Sequence, residues 1–80
     1  MLGKIILTLD QLNIKQKAII SSINCDEILK NRLYSFGIIK GATITVEETT
    51  LTKSTIEVKI NQSKIALRLK EAEKIEVICE

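Results

Sequence analysis

The stretch Arg32-Leu33-Tyr34-Ser35-Phe36-Gly37-Ile38-Ile39-Lys40-Gly41 decides the fold, because a helix stops in it and a strand region begins. Leu29, Leu33 and Phe36 recur at helical spacing and mark one apolar face. Gly37 follows where a helix end needs a left-handed residue, and Ile38 follows where such a cap makes its apolar contact. Gly41 marks the next turn, after which Thr43-Ile44-Thr45-Val46 opens a period-two pattern. Upstream, Asn24-Cys25-Asp26-Glu27 has the spacing of a capping box, with Asn24 as cap and Glu27 reaching back. The expectation is one helix from there to Phe36, with acids in its first turn and Lys30 and Arg32 further along, as the helix dipole favours.

Working outward, Thr8-Leu9-Asp10-Gln11-Leu12 reads as a single helical turn capped by Thr8, with Gln11 reaching back. Lys17 to Ile23 reads as the first strand. Beyond Gly41, the apolar sets Ile44/Val46, Ile56/Val58/Ile60, Ile65/Leu67/Leu69 and Ile75/Val77 each face one way. Glu48 to Ser54 is polar and threonine-rich and reads as a mobile hairpin loop; Asn61-Gln62-Ser63 reads as a tight turn. Lys70 to Glu73 reads as a short helical link. The pattern predicts a mainly β chain: a small closed barrel of about five strands with one helix between the first two.

Eighty residues suit a single domain spanning 1–80. A chain of this size buries only about 60–65% of its unfolded surface, so the core must be rich. It is: 45% of residues are apolar, mostly Ile, Leu and Val, whereas the chain has one Tyr, one Phe and no Trp. The net charge of +2 comes from scattered charges, not from a run that would mark nucleic-acid binding. No apolar run approaches the ~18 residues of a membrane span, and Met1 to Leu9 lacks the form of a signal peptide. The expected location is the cytoplasm.

The missing residues are as telling. No histidine is present, which removes the commonest general base and metal ligand. Cys25 and Cys79 stand alone, without ligand-spaced neighbours, and Gly3, Gly37 and Gly41 form no phosphate loop. The expectation is a protein without enzymatic activity, cofactor or metal site. Cys25, one residue past the expected cap Asn24, would have its thiol pKa lowered by the dipole; the plainer reading is a partly buried small side chain. Asp26–Glu27, Glu47–Glu48 and Glu71 with Glu73 are carboxylate pairs, read as helix-start and solvated positions. Tyr34 and Phe36 are the aromatic candidates for base stacking, but with Phe36 expected in the core Tyr34 is left alone.

Arg32 and Arg68 are the only arginines. Each could anchor a protein interface through bidentate contacts, or pair internally with a glutamate on the barrel wall. The two readings stand equal from sequence.

The set Arg32-Leu33, Phe36-Gly37-Ile38, Gly41, Ile65-Ala66-Leu67-Arg68, Glu71-Ala72 and Ile75-Glu76-Val77 resembles the ferrous iron transport protein A family, FeoA. The likeness runs from about Thr8 to Ile78. The same element occurs in the C-terminal barrel of metal-dependent repressors of the DtxR type, but here no winged-helix domain precedes it, which favours a free-standing form. The resemblance implies an SH3-like barrel and a cytoplasmic accessory role in bacterial ferrous iron uptake, with a family-level link to transition-metal ions. It further implies a partner, the GTP-hydrolysing cytoplasmic domain of the permease FeoB, and a membrane association only through that permease. No catalytic residue carries over. Leu33, Phe36, Gly37, Gly41, Ala66 and Leu67 read as the structural motif, and Arg32, Leu51, Lys53 and Arg68 as candidates for partner contact. Exposed strand edges allow a weak homodimer. Three positions depart from the family's pattern: the hairpin loop from Leu51 to Thr55 has neither proline nor glycine, Gln62 replaces a turn glycine, and Lys15 stands where glycine is expected.

Overall fold

A computed structural model describes residues 5–50 and 54–79. Six antiparallel strands form one sheet in the order β1-β6-β2-β3-β4-β5. They are β1 (Ile5–Thr8), β2 (Lys17–Ile23), β3 (Thr43–Thr50), β4 (Thr55–Ile60), β5 (Ser63–Arg68) and β6 (Ile75–Cys79). A 3-10 turn, Leu9–Gln11, follows β1; helix α1 (Glu27–Ser35) joins β2 to β3, and α2 (Leu69–Ala72) joins β5 to β6. The mainly β class and the interstrand helix agree with the sequence reading. One strand is added: Ile5 to Thr8 pairs with Cys79 to Glu76, so the apolar start is the sheet's β1 edge. A run of four apolar and β-branched residues has no period to declare it.

The core is aliphatic. Leu9, Ile20, Leu33, Ile38, Ile44, Val46, Ile56, Val58, Ile60, Leu67, Ile75 and Val77 are each no more than 1% exposed, and no buried polar or charged side chain accompanies them among the described residues. Fully burying each such side chain contributes about 1.5–3 kcal/mol, which is how so short a chain holds a fold. Alternation places these residues inward along β3 and β4 and leaves Thr43, Glu48 and Lys59 on the outer face.

Helix α1 begins two residues later than expected. Asp26, not Asn24, is the N-cap, and its carboxylate accepts the N–H of Leu29 at 2.9 Å. Asn24 instead stays with the sheet, its N–H donating to the carbonyl of Lys74 at 2.7 Å. At the other end the helix closes as the glycine foretold. Gly37 has φ +89, its N–H donates to Tyr34, and the N–H of Ile38 reaches back to Leu33 at 3.0 Å. This is a Schellman closure, sealed by the buried pair Leu33 and Ile38. Phe36 is the C-cap and is 37% exposed, not a core residue, because the chain is already leaving the helical path there.

The hairpin between β3 and β4 is longer than the polar composition implied. Thr49 pairs with Ile56 and Thr50 with Thr55, so part of the expected mobile loop is ladder, as β-branched threonine favours. Bulges interrupt β3 after Val46 and β2 after Ile20.

Candidate docking surface

The candidate surface begins with the face α1 turns away from the sheet. Leu33 is the helix's buried residue, so most of the rest faces out. Ile28 is 84% exposed, and with Arg32 and Phe36 it falls at i, i+4 and i+8 on one side of the helix end. The Arg32 guanidinium lies 6.0 Å from the centre of the Phe36 ring. Tyr34, also exposed, points elsewhere on the helix, so the two aromatics do not form one stacking platform.

Arg32 is fixed from below. Its Nη1 donates to Oε2 of Glu71 at 3.2 Å, while Oε1 of the same carboxylate accepts the backbone N–H of Arg68 at 3.1 Å. Glu71 therefore caps α2 and anchors α1 at once. Of the two readings of the arginines, the internal ion pair holds for Arg32. The side chain of Arg68 is exposed, and with Ser54, Thr55, Leu69 and Lys70 it lines an open groove of about 350 Å³. Leu51 and Lys53, the other contact candidates, lie outside the described residues; their hairpin re-emerges at Ser54, whose carbonyl accepts the N–H of Leu69 at 2.9 Å. The structure thus brings Arg32 and Arg68 together around Glu71 and brings β4's start beside them.

Sequence places Glu71 in the family motif and among the surface acids without naming it as the partner of either arginine. Its place three residues after Arg68, the spacing of a helix-start acid that reaches back to the cap, was the available signal. The structural motif residues divide. Leu33 and Leu67 are core, whereas Ala66 is exposed on β5. A Cβ on Gly37 would come within 3.2 Å of Ile60 Cγ2; Gly41, at φ +91, has open space around it.

The turn departures resolve in backbone terms. Lys15 has φ +71, so the glycine-like geometry is retained with a lysine in it, and Lys15 Nζ holds Glu47 Oε1 at 3.1 Å. In the turn before β5 the positive φ belongs to Asn61, at +55, one residue before the departure at Gln62.

Chemistry is sparse. Among the described residues no three of His, Cys, Asp and Glu gather as metal ligands. Asp26 is occupied as a cap, Glu47 by Lys15 and Glu71 by Arg32. Cys25 precedes the true cap, so the expected lowering of its pKa does not occur: burial, then the adjacent Asp26, pushes the thiol upward. Cys79 is half-buried on β6 and accepts a hydrogen bond from Gln16 Nε2 at 3.4 Å; both thiols are free. No helix among the described residues is long and apolar enough to cross a membrane.

A small antiparallel sheet with one helix set between its strands is a fold of the SH3-like class. The family model for the FeoA domain matches residues 7–79, and the chain belongs to the FeoA family. A Campylobacter jejuni protein named Fe(2+) transport protein A is 44% identical over 71 residues, covering 89% of this chain and 96% of that protein. The crystal structure of Stenotrophomonas maltophilia FeoA complexed with zinc, described as a procaryotic SH3 domain protein, superposes with a TM-score of 0.77 at 23% identity, over 89% of this chain and 88% of that one. A manganese-dependent transcriptional repressor gives a TM-score of 0.88 at 18% identity, with 99% of this chain matching 44% of the repressor; that likeness is one of fold.

Proposed function

We propose that this protein is a non-enzymatic, cytoplasmic accessory protein of bacterial ferrous iron uptake, acting as a single domain that docks on the GTP-hydrolysing cytoplasmic part of the permease FeoB. The observation that carries the reading is membership of the FeoA family together with the 44% identity to an Fe(2+) transport protein A. The site supports it. Ile28, Arg32 and Phe36 are exposed on one face of α1, and Glu71 holds Arg32 there, as a surface partly ordered before a protein binds requires. In this reading Arg32 and Arg68, with Leu51 and Lys53 of the hairpin, contact the permease, and the membrane is reached only through it. The test is ferrous iron uptake in a strain lacking its own copy of the protein. Restoration by the wild type and failure by a folded Arg32→Glu variant supports the reading; restoration by neither refutes it.

The fold likeness to the manganese-dependent repressor supports a second reading, a regulatory barrel that binds a protein or peptide of the transcription apparatus. Co-purification separates the two: the permease is recovered in the first case and a repressor in the second. A self-pairing β1 or β5 edge would give a weak homodimer in either.

A further inference from the structure

The register of the central strands builds a second feature, away from α1. Lys17 on β2 pairs with Thr45 on β3, Thr45 with Lys59 on β4, and Lys59 with Lys64 on β5. One row thus crosses four strands and carries three exposed lysines. At ~4.8 Å per strand it is about 15 Å long. The inward neighbours Ile44, Val58 and Ile60 are buried, so the row stands on the outer face. Lys17, Thr45 and Lys59, with Thr43 and Asn61, line an open groove of about 250 Å³.

Nothing in the fold calls for this arrangement. Lys59 and Lys64 are directly opposed like charges, which a sheet tolerates at a loss. Glu47, the carboxylate near both, is taken by Lys15. Among the described residues no carboxylate lies in ion-pair range of Lys17, Lys59 or Lys64. An anion laid across the row would relieve the repulsion and find hydroxyl and amide donors at Thr43, Thr45 and Asn61.

We propose that the row Lys17–Thr45–Lys59–Lys64 docks an acidic segment of a protein partner, laid in extended form across β2 to β5. At ~3.3 Å per residue, about five extended residues span the row. Glu48 and Glu57, opposed on β3 and β4, form the next charged row and confine the positive field to one peptide's width. That confinement disfavours nucleic acid, which needs a longer basic track or stacking aromatics; here the aromatics sit on or capping α1. A second copy could set its glutamates against these lysines, but the charged patch is far smaller than the ~800 Å² per partner of a stable dimer. The inference rests on the docking reading above only in taking the partner to be a protein.

The experiment is fluorescence anisotropy with a labelled glutamate-rich octapeptide, its glutamine counterpart and a single-stranded oligonucleotide, on wild type, Lys59→Glu and Lys64→Glu. The glutamate peptide should bind in a salt-sensitive way, the glutamine peptide should not, and each variant should weaken binding by about tenfold. Because each variant turns a like-charge pair into an opposite-charge one, its Tm should hold or rise by about 2 °C. Absence of peptide binding, equal binding by the folded variants, or binding of the oligonucleotide as tight as the peptide's would overturn the proposal. Titration of the same variants into the permease domain separates the two claims. If wild type and variants bind it equally, docking stands and the lysine row is excluded; if the peptide binds through the lysines but the permease does not bind, the reverse holds.

Discussion

Arg32 on α1 and Glu71 on α2 meet at 3.2 Å although 39 positions separate them in sequence, and the same Glu71 carboxylate accepts the backbone N–H of Arg68 at 3.1 Å. Three segments, the interstrand helix, the end of β5 and the start of α2, are therefore tied by one side chain. Its own exposure is 13% against 52% for Arg32, so the carboxylate is the sheltered partner and the guanidinium the outward one.

The two sides of this tie should differ in strength. Arg32→Ala removes a half-exposed ion pair and should cost about 0.5–1 kcal/mol. Glu71→Ala also leaves the Arg68 N–H without its acceptor and should cost about 1–2 kcal/mol. Urea unfolding of both variants and the double variant would show the coupling, with the double variant less destabilised than the sum.

Gly37 and Gly41 share a positive φ but not surroundings. Gly41→Ala should cost about 1–2 kcal/mol from backbone strain alone. Gly37→Ala should cost more, since its Cβ also presses on Ile60, and Gly37→Val should be severely destabilising. Equal losses of the two alanine variants by thermal unfolding would contradict the close approach of Gly37 to Ile60.

Those two glycines mark what was legible in the sequence. The end of α1, the outward-inward alternation of β3, β4 and β6, and the aliphatic core all follow from residues within a turn or two of each other. What was not legible depended on distance or on competing local rules. Asn24 and Asp26 are both good caps, and the hydrogen bond from Asn24 to Lys74, which continues the β2–β6 pairing one step past Ile23 and Ile75, decides between them. Thr49 and Thr50 read as loop by polarity, yet strand pairing claims them. The Arg32–Glu71 contact and the lysine row need the register of strands that sequence spacing cannot supply.

Lys15 carries backbone strain at φ +71 while its side chain pairs with Glu47. Strain of about 1 kcal/mol outweighs an exposed ion pair, so Lys15→Gly should raise the unfolding midpoint. The hydrogen bond from Lys15 holds the Glu47 carboxyl below its usual range against the opposing effect of burial, with the charges of Lys15, Lys64 and Lys59 adding to the lowering. The folded value is lower than the unfolded one, so the pair's stabilisation is complete above the unfolded carboxylate pKa of ~4.3 and is lost as pH falls through the folded value. Acid titration of stability should lose this component in Lys15→Met.

Burial and Asp26 raise the Cys25 thiol above its ordinary value. Iodoacetamide alkylation of the native protein should therefore titrate above the ~8.5 of a free thiol, and return to it in denaturant. A native midpoint below that value would restore the helix-dipole activation that Asp26, as cap, removes.

The measurement closest to the central claim is calorimetric titration of this protein into the cytoplasmic GTP-binding part of the permease, with and without bound nucleotide. The account predicts binding of about micromolar Kd or tighter in at least one nucleotide state, weakened in a folded Arg32→Glu variant. No heat of binding in any nucleotide state would contradict it.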